Sequence, residues 1–164
     1  MAENKVLQNL MEAFAGESQA SRKYWAYAKK AEAEGRKNAA KLFRAASEAE
    51  TLHAQRHLKV AGKLLSTAEN LQDAVKGETY EFESMYPEFI KIAEAEGNKA
   101  AVGAFTFAMK AEEVHAKLYQ EALDNLDETE EVFYYLCPVC GNIEKSVPEK
   151  CSICGVMGSK FIKY

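Results

Sequence analysis

Apolar side chains recur every three or four residues through four long stretches of the chain, the period of one buried helical face. From Glu3 to Glu34 the stripe is Leu7, Leu10, Phe14, Glu17, Ser21, Tyr24 and Ala28, and Gly35 ends it. From Arg36 to Val60 it is Ala39, Phe43, Ala46, Glu50, His53, His57 and Val60, closed by Gly62. Ser66-Thr67-Ala68-Glu69 is a capping box, which predicts a short helix within a longer connection. A third long helix is expected from about Glu78 to Glu96, with Gly97 as its stop and a bend at Pro87. A fourth runs from about Lys99 to Leu126, with Ala101, Phe105, Ala108, Glu112, His115, Tyr119 and Ala122 in line.

The four stripes are two copies of one pattern. Shifting residues 31–54 by 62 positions onto 93–116 makes 13 of 24 positions identical, among them Phe43 with Phe105 and Glu50-x-x-His53 with Glu112-x-x-His115. Tyr24 falls on Tyr86 at the same shift, whereas Gly16-Glu17-Ser18 resembles Gly77-Glu78-Thr79 at a shift of 61. A low-complexity Ala/Glu match is the plain alternative. The repeated aromatic and histidine positions favour two helical hairpins of common descent that face each other.

After Leu126 the composition changes. Asp127-Glu128-Thr129-Glu130-Glu131 is an acidic linker, and the tail beyond it mixes aromatics, Pro, Gly and all four cysteines. The domains expected are residues 1–126, a linker at 127–133, and 134–164. A tail of that length cannot bury an adequate core and needs a metal to hold it.

Composition narrows the function. The chain has 164 residues, 48% apolar and 28% charged, with a net charge of -4. No basic run follows a phosphate backbone, so nucleic acid is not an expected partner. The N-terminus, Met1-Ala2-Glu3-Asn4-Lys5, lacks a signal-peptide core, and the weakly polar run from Ala100 to Met109 is too short for a bilayer. A cytoplasmic protein is expected, where crowded cysteines favour metal over disulfides.

The acids on the stripes are the chemistry-bearing residues. Glu17, Glu50, Glu78 and Glu112 sit at matching depth, with His53 and His115 beside two of them. One Glu from each of two helices and Glu-x-x-His from each of two others is the ligand set of di-iron and di-manganese carboxylate bundles. Four buried carboxylates are costly without cations, and two divalent metals balance their charge. A solvated acid is the simpler reading for any one of them; six ligands at matched spacing on four helices favour a metal pair. His57 has Tyr119 as its repeat partner and reads as a hydrogen-bonded core histidine. Glu81 shares a helix face with Glu78, while the repeat has Ala20 there, so spacing leaves it open between a ligand and an exposed acid. In the tail, Cys137-x-x-Cys140-Gly141 and Cys151-x-x-Cys154-Gly155 are two knuckles that make a tetrahedral sulfur site for zinc or a single iron.

This combination resembles the rubrerythrins along essentially the whole chain. The resemblance rests on Glu17, Glu50-x-x-His53, Glu78-x-x-Glu81, Glu112-x-x-His115 and the two knuckles, with Gly77-Glu78-Thr79-Tyr80-Glu81 and Met85-Tyr86-Pro87 especially family-like. It implies a mainly α fold: a ferritin-like four-helix bundle with a long crossover connection, plus a small C-terminal rubredoxin-like metal-binding domain. It implies a non-haem di-iron peroxidase that reduces hydrogen peroxide to water in oxidative-stress defence. Glu50 and Glu112 match bridging carboxylates, Glu17 and Glu81 ligands of one iron, and Glu78 and His115 ligands of the other. His53 matches a residue that replaces Glu81 when the site is reduced. Tyr24 and Tyr86 match tyrosines beside the metals; as residues alone they read equally as core aromatics. The implied cofactors are two irons in the bundle and one iron at the four-cysteine site, zinc being possible there. By linker and bundle length the tail is expected to lie too far from the bundle site of its own chain. The resemblance therefore implies a head-to-tail homodimer, with electrons from a rubredoxin or an NAD(P)H-dependent reductase. A ferroxidase of the ferritin kind is the alternative, and the tail argues against it.

Overall fold

Side-chain caps set the helix starts. Asn4 Oδ1 accepts a hydrogen bond from the Leu7 N–H (3.2 Å) and opens α1, Lys5–Ala33. The computed structural model describes residues 4–164, so the expected helix start at Glu3 lies outside the described residues. Gly35, at φ 71°, ends α1 in the left-handed conformation that suits a residue without Cβ, and α2 follows as Lys37–Val60. The chain divides into two compact units, Met1–Leu65 and Ser66–Tyr164.

The first unit is the α1–α2 hairpin. Ser47 Oγ donates to the Ser21 carbonyl (2.9 Å), and Ser21 and Thr51 share a hydroxyl–hydroxyl hydrogen bond (2.8 Å). These small residues let the helices approach closely, and they fix Glu17, one turn before Ser21, level with Glu50, next to Thr51. Tyr24, Tyr27 and Phe43 form an aromatic triad beyond, with Tyr27 and Phe43 centroids 5.5 Å apart.

The second unit opens with the predicted capping box: Ser66 Oγ accepts from Glu69 N, and Glu69 Oε2 accepts from Ser66 N. Helix α3, Thr67–Tyr80, then runs unbroken through Glu78. The expectation of a separate short helix before a third helix starting near Glu78 is therefore corrected. The short helix and the start of the third long helix are one element, and only residues 61–66 lie between α2 and α3. Nothing between Glu69 and Glu78 stops a helix once the capping box has started it; Gly77 alone weakens it by about 1 kcal/mol.

A π-helical turn, Glu81–Met85, follows α3, and α4 is Tyr86–Ala95. The bend expected at Pro87 is thus a widened turn just before it, with Tyr86 N bonded to the Glu81 carbonyl. A residue that lacks an N–H is accommodated best at the first positions of a new helix. Asn98 caps α5, Lys99–Asp124, which packs on α3 and α4. Tyr86, Phe89 and Phe105 repeat the first triad 62 residues on, with Phe89 and Phe105 centroids 5.6 Å apart. The internal repeat therefore holds in three dimensions within each unit.

The tail is a three-stranded antiparallel sheet of β1 (Tyr135–Leu136), β2 (Ile143–Glu144) and β3 (Ile162–Lys163), in the order β2-β1-β3. Its core is Cys137, Cys140 and Cys151 against Ile153, Val156 and Phe161. Among the described residues no helix is long and apolar enough to cross a membrane.

Candidate metal centres

Each unit brings three predicted ligands together. In the first, donor atoms of Glu17, Glu50 and His53 lie within 4.8 Å of one another, and His53 Nδ1 is 2.8 Å from Glu50 Oε2. In the second, Glu78, Glu112 and His115 do the same. His115 Nδ1 is 2.6 Å from Glu112 Oε2 and 3.9 Å from Glu78 Oε1. The Glu-x-x-His spacing accounts for both pairs, since residues i and i+3 share a helix face.

Electrostatics set the second cluster apart. Burial, with the Glu112 charge beside it, raises Glu78 to about 7. The His115 hydrogen bond holds Glu112 low against the opposing effect of burial. Burial alone would lower His115, but the Glu112 hydrogen bond, the Gly141 carbonyl and the charges of Glu112 and Glu78 outweigh it and raise its pKa. Without a cation, Glu78 is thus the more easily protonated of the two carboxylates and Glu112 the less.

The far nitrogen of the same imidazole is also fixed. His115 Nε2 donates to the carbonyl oxygen of Gly141 (2.9 Å), and Gly141 follows Cys140 in the first knuckle. A ligating histidine with one N–H on a backbone carbonyl offers its other nitrogen to metal. Here that nitrogen is Nδ1, which points at the carboxylates. Two acids and an oriented imidazole in each cluster form a hard, borderline donor set that fits iron or manganese. The Lys145–Glu121 ion pair joins the tail to α5 as well. The expectation that the tail lies too far from the bundle site of its own chain is thereby corrected. The linker returns the first knuckle onto α5 of the same chain.

Glu81 stands outside the three-donor group, as the first residue of the π-helical turn. Burial and the Glu112 charge raise its pKa, so it faces the same region. Burial raises Tyr86 too, reinforced by Glu81, Glu112 and Glu78. Tyr24 occupies the equivalent position in the first unit's triad. Sequence reasoning missed two participants. Tyr119, raised by burial and by the charges of Glu78 and Glu112, was signalled only by its place on the α5 stripe. Gly141 contributes a carbonyl, which no side-chain pattern reveals. His57, half-buried near the end of α2, is not a member of either cluster.

The four cysteines are free thiols with donor atoms within 4.8 Å of one another. Cys137 and Cys154 sulfurs are 3.5 Å apart, as are those of Cys140 and Cys151. A tetrahedral site with metal–sulfur bonds of about 2.3 Å requires about 3.8 Å between sulfurs, so the cage is near its working size. The knuckles are built alike: Gly141 N donates to the Cys137 carbonyl and Gly155 N to that of Cys151, with both glycines at positive φ (82° and 76°). Burial raises the Cys140 thiol. Cys151 is also pushed up by burial, but the N–H groups of Cys154 and Ile153 lead the effects that bring it down to about 7. One sulfur is thus poised as thiolate, the form that binds metal.

Comparison with known proteins gives a consistent family. Residues 8–123 match the family model described as Rubrerythrin. The nigerythrin of Nitratidesulfovibrio vulgaris (strain Hildenborough) is 39% identical over 168 residues, covering 93% of this chain and 83% of that relative. The rubrerythrin of Porphyromonas gingivalis (strain W83) is 34% identical over 172 residues, covering 92% and 86%. A solved structure of nigerythrin in its fully reduced, all-ferrous state aligns with all of this chain and 91% of its own, with TM-score 0.60 and 36% identity.

Proposed function

The chain belongs to the rubrerythrin family of di-iron oxidoreductases, and on that premise we propose that it reduces hydrogen peroxide to water with electrons relayed through its four-cysteine site. The observation that carries this reading is the His115 Nε2–Gly141 hydrogen bond of 2.9 Å, which joins a metal-ligand candidate to the backbone of the first knuckle. A ferroxidase reading leaves a docked sulfur site without a task.

Glu50 and Glu112 are the bridging carboxylates in this proposal. Glu17 and Glu81 would hold one metal, Glu78 and His115 the other, and His53 would be the alternative ligand to Glu81. Two irons held there would supply the two-electron chemistry that peroxide reduction needs. The chain supplies the rest. Reduction of one peroxide to two waters consumes two protons along with the two electrons. The Tyr24 and Tyr86 hydroxyls are proposed to orient the oxygen atoms. His115 holds its Nε2 proton on the Gly141 carbonyl throughout, which keeps Nδ1 available as a ligand.

The four-cysteine site is proposed to hold one iron and to be refilled by a rubredoxin or an NAD(P)H-dependent reductase. A cytoplasmic location fits four clustered free thiols. The test is an anaerobic titration of the fully reduced, iron-loaded protein with hydrogen peroxide. One peroxide consumed per two electrons, with no dioxygen evolved, supports the reading. Dioxygen release would mean disproportionation, and no consumption would remove the peroxidase reading.

A further inference from the structure

Asn142 is 1% exposed, the most deeply buried polar residue among the described residues. Its main chain is tied to the first knuckle: the carbonyl accepts from Cys137 N (2.8 Å), and the N–H bonds the Cys140 sulfur. Its side chain reaches the second knuckle. Asn142 Nδ2 donates to Glu144 Oε1 (2.8 Å) and to the Cys151 sulfur (3.8 Å, within reach of the larger sulfur atom). One residue thus touches three of the four cysteines.

An amide can turn either its oxygen or its nitrogen toward a neighbour, and Glu144 settles which. A carboxylate only accepts, so it takes the Nδ2 edge and leaves Oδ1 facing away. Glu144 is itself placed by strand β2, opposite Tyr135, and Ser152 Oγ donates to the same carboxylate oxygen (3.4 Å). Asn142 Oδ1 is the one buried side-chain nitrogen or oxygen without a hydrogen-bond partner among the described residues. A buried acceptor without a partner costs stability, and an apolar side chain of the same volume would avoid that cost. Packing therefore does not account for an asparagine at this position. What an apolar residue cannot supply is the second amide proton, the one directed at Cys151.

We propose that Asn142 is a positioning residue that raises the reduction potential of the four-cysteine iron, through its N–H donated to the Cys151 sulfur. Iron held by four thiolates gains a negative charge on reduction, and the sulfurs carry part of it. A hydrogen bond to a sulfur stabilises that added charge and favours the reduced site. The Cys151 sulfur already receives the N–H groups of Cys154 and Ile153 from its own knuckle, and Asn142 adds a donor from the other. Glu144 acts through Asn142, by holding the amide nitrogen toward the sulfur. The effect has a direction: the tail accepts an electron more readily and passes it on with less driving force. This inference rests on iron at the four-cysteine site and adds what sets its potential.

Two measurements test it. Asn142→Leu keeps side-chain volume and removes both the donor and the orphaned acceptor. The iron-loaded full chain is titrated electrochemically, with the sulfur-to-iron absorption of the ferric four-cysteine site as the monitor. The reduced form should lose about tenfold in equilibrium against wild type, a fall of about 59 mV for one electron, with tail iron retained. An unchanged or raised potential overturns the proposal. The second measurement needs no variant. In the wild-type chain with cadmium at the four cysteines, the Asn142 side-chain amide proton should show scalar coupling to the metal through the Cys151 sulfur, alongside the Ile153 and Cys154 N–H protons. Coupling at those backbone protons with none at Asn142 overturns the proposal, whether or not the leucine variant folds. A wild-type chain whose four cysteines take up no iron removes the iron reading, and the proposal with it.

Discussion

His115 Nε2 and the carbonyl oxygen of Gly141 lie 2.9 Å apart within one chain. Through this contact a candidate ligand of the carboxylate site touches the residue that follows a candidate ligand of the sulfur site, Cys140. The two centres should therefore be separable in metal content and inseparable in donor-driven turnover.

Cys154→Ser separates them. Cys154 is partly buried, and its sulfur is 3.5 Å from that of Cys137. Removing one of four thiolates should empty the tail of its metal while the carboxylate site stays loaded. Turnover driven by a reductase should fall to background, while a small chemical reductant still supports it. Metal analysis with paired assays checks this, and reductase-driven turnover at wild-type level would refute the relay.

Glu81→Ala probes the acid outside the three-donor cluster. Bundle metal content should remain largely intact, because Glu78, Glu112 and His115 converge without Glu81. Peroxide turnover should drop by about tenfold or more, equivalent to about 1.4 kcal/mol of barrier. Unchanged turnover would dismiss the exchange between Glu81 and His53.

The metal-free protein should lose stability as pH rises from about 5 to 7.5. Glu78 is raised from 4.5 to about 7, so the folded state binds more protons than the unfolded state across that interval. His115, raised above 6.5, contributes stability below 6.5 that is lost as pH climbs through its folded value, in the same direction. Glu112 is lowered, and its contribution is lost only as pH falls below 4.5. Thermal melts of the metal-free chain should show the trend. Metal loading should reverse it, because the cation displaces these protons and binds less well as pH drops below about 7.

Gly158→Ala should damage the tail alone. A Cβ there would stand 1.6 Å from the Pro148 carbonyl oxygen, a backbone atom that cannot step aside. A backbone shift costing about 3 kcal/mol is expected. Tail metal should fall while far-ultraviolet circular dichroism of the helices is unchanged.

What the sequence disclosed was what spacing encodes. The six candidate bundle ligands, the two knuckles and the 62-residue repeat are one-dimensional patterns, and each unit brings its own three candidates together. The π-helical turn was encoded less directly. Glu17 pairs with Glu78 at a shift of 61, but Tyr24 pairs with Tyr86 at 62, so one extra residue enters between Thr79 and Tyr86. That residue is absorbed by the widened turn at Glu81–Met85. The length of α3 was misjudged because a capping box marks a start and carries no information about an end. The docking of the first knuckle on His115 lay beyond pattern, since it depends on the path of residues 125–134 and on a carbonyl, which every residue type possesses.

The most direct test of the relay is rapid mixing under strict anaerobiosis. The fully reduced, iron-loaded protein is mixed with excess hydrogen peroxide or with dioxygen, and the returning colour of the ferric four-cysteine site is followed. The account predicts fast return with peroxide, slower return with dioxygen, and loss of the fast phase in a chain carrying both Glu17→Gln and Glu50→Gln. A four-cysteine site that stays reduced while the carboxylate site oxidises, or one that responds faster to dioxygen, would contradict it.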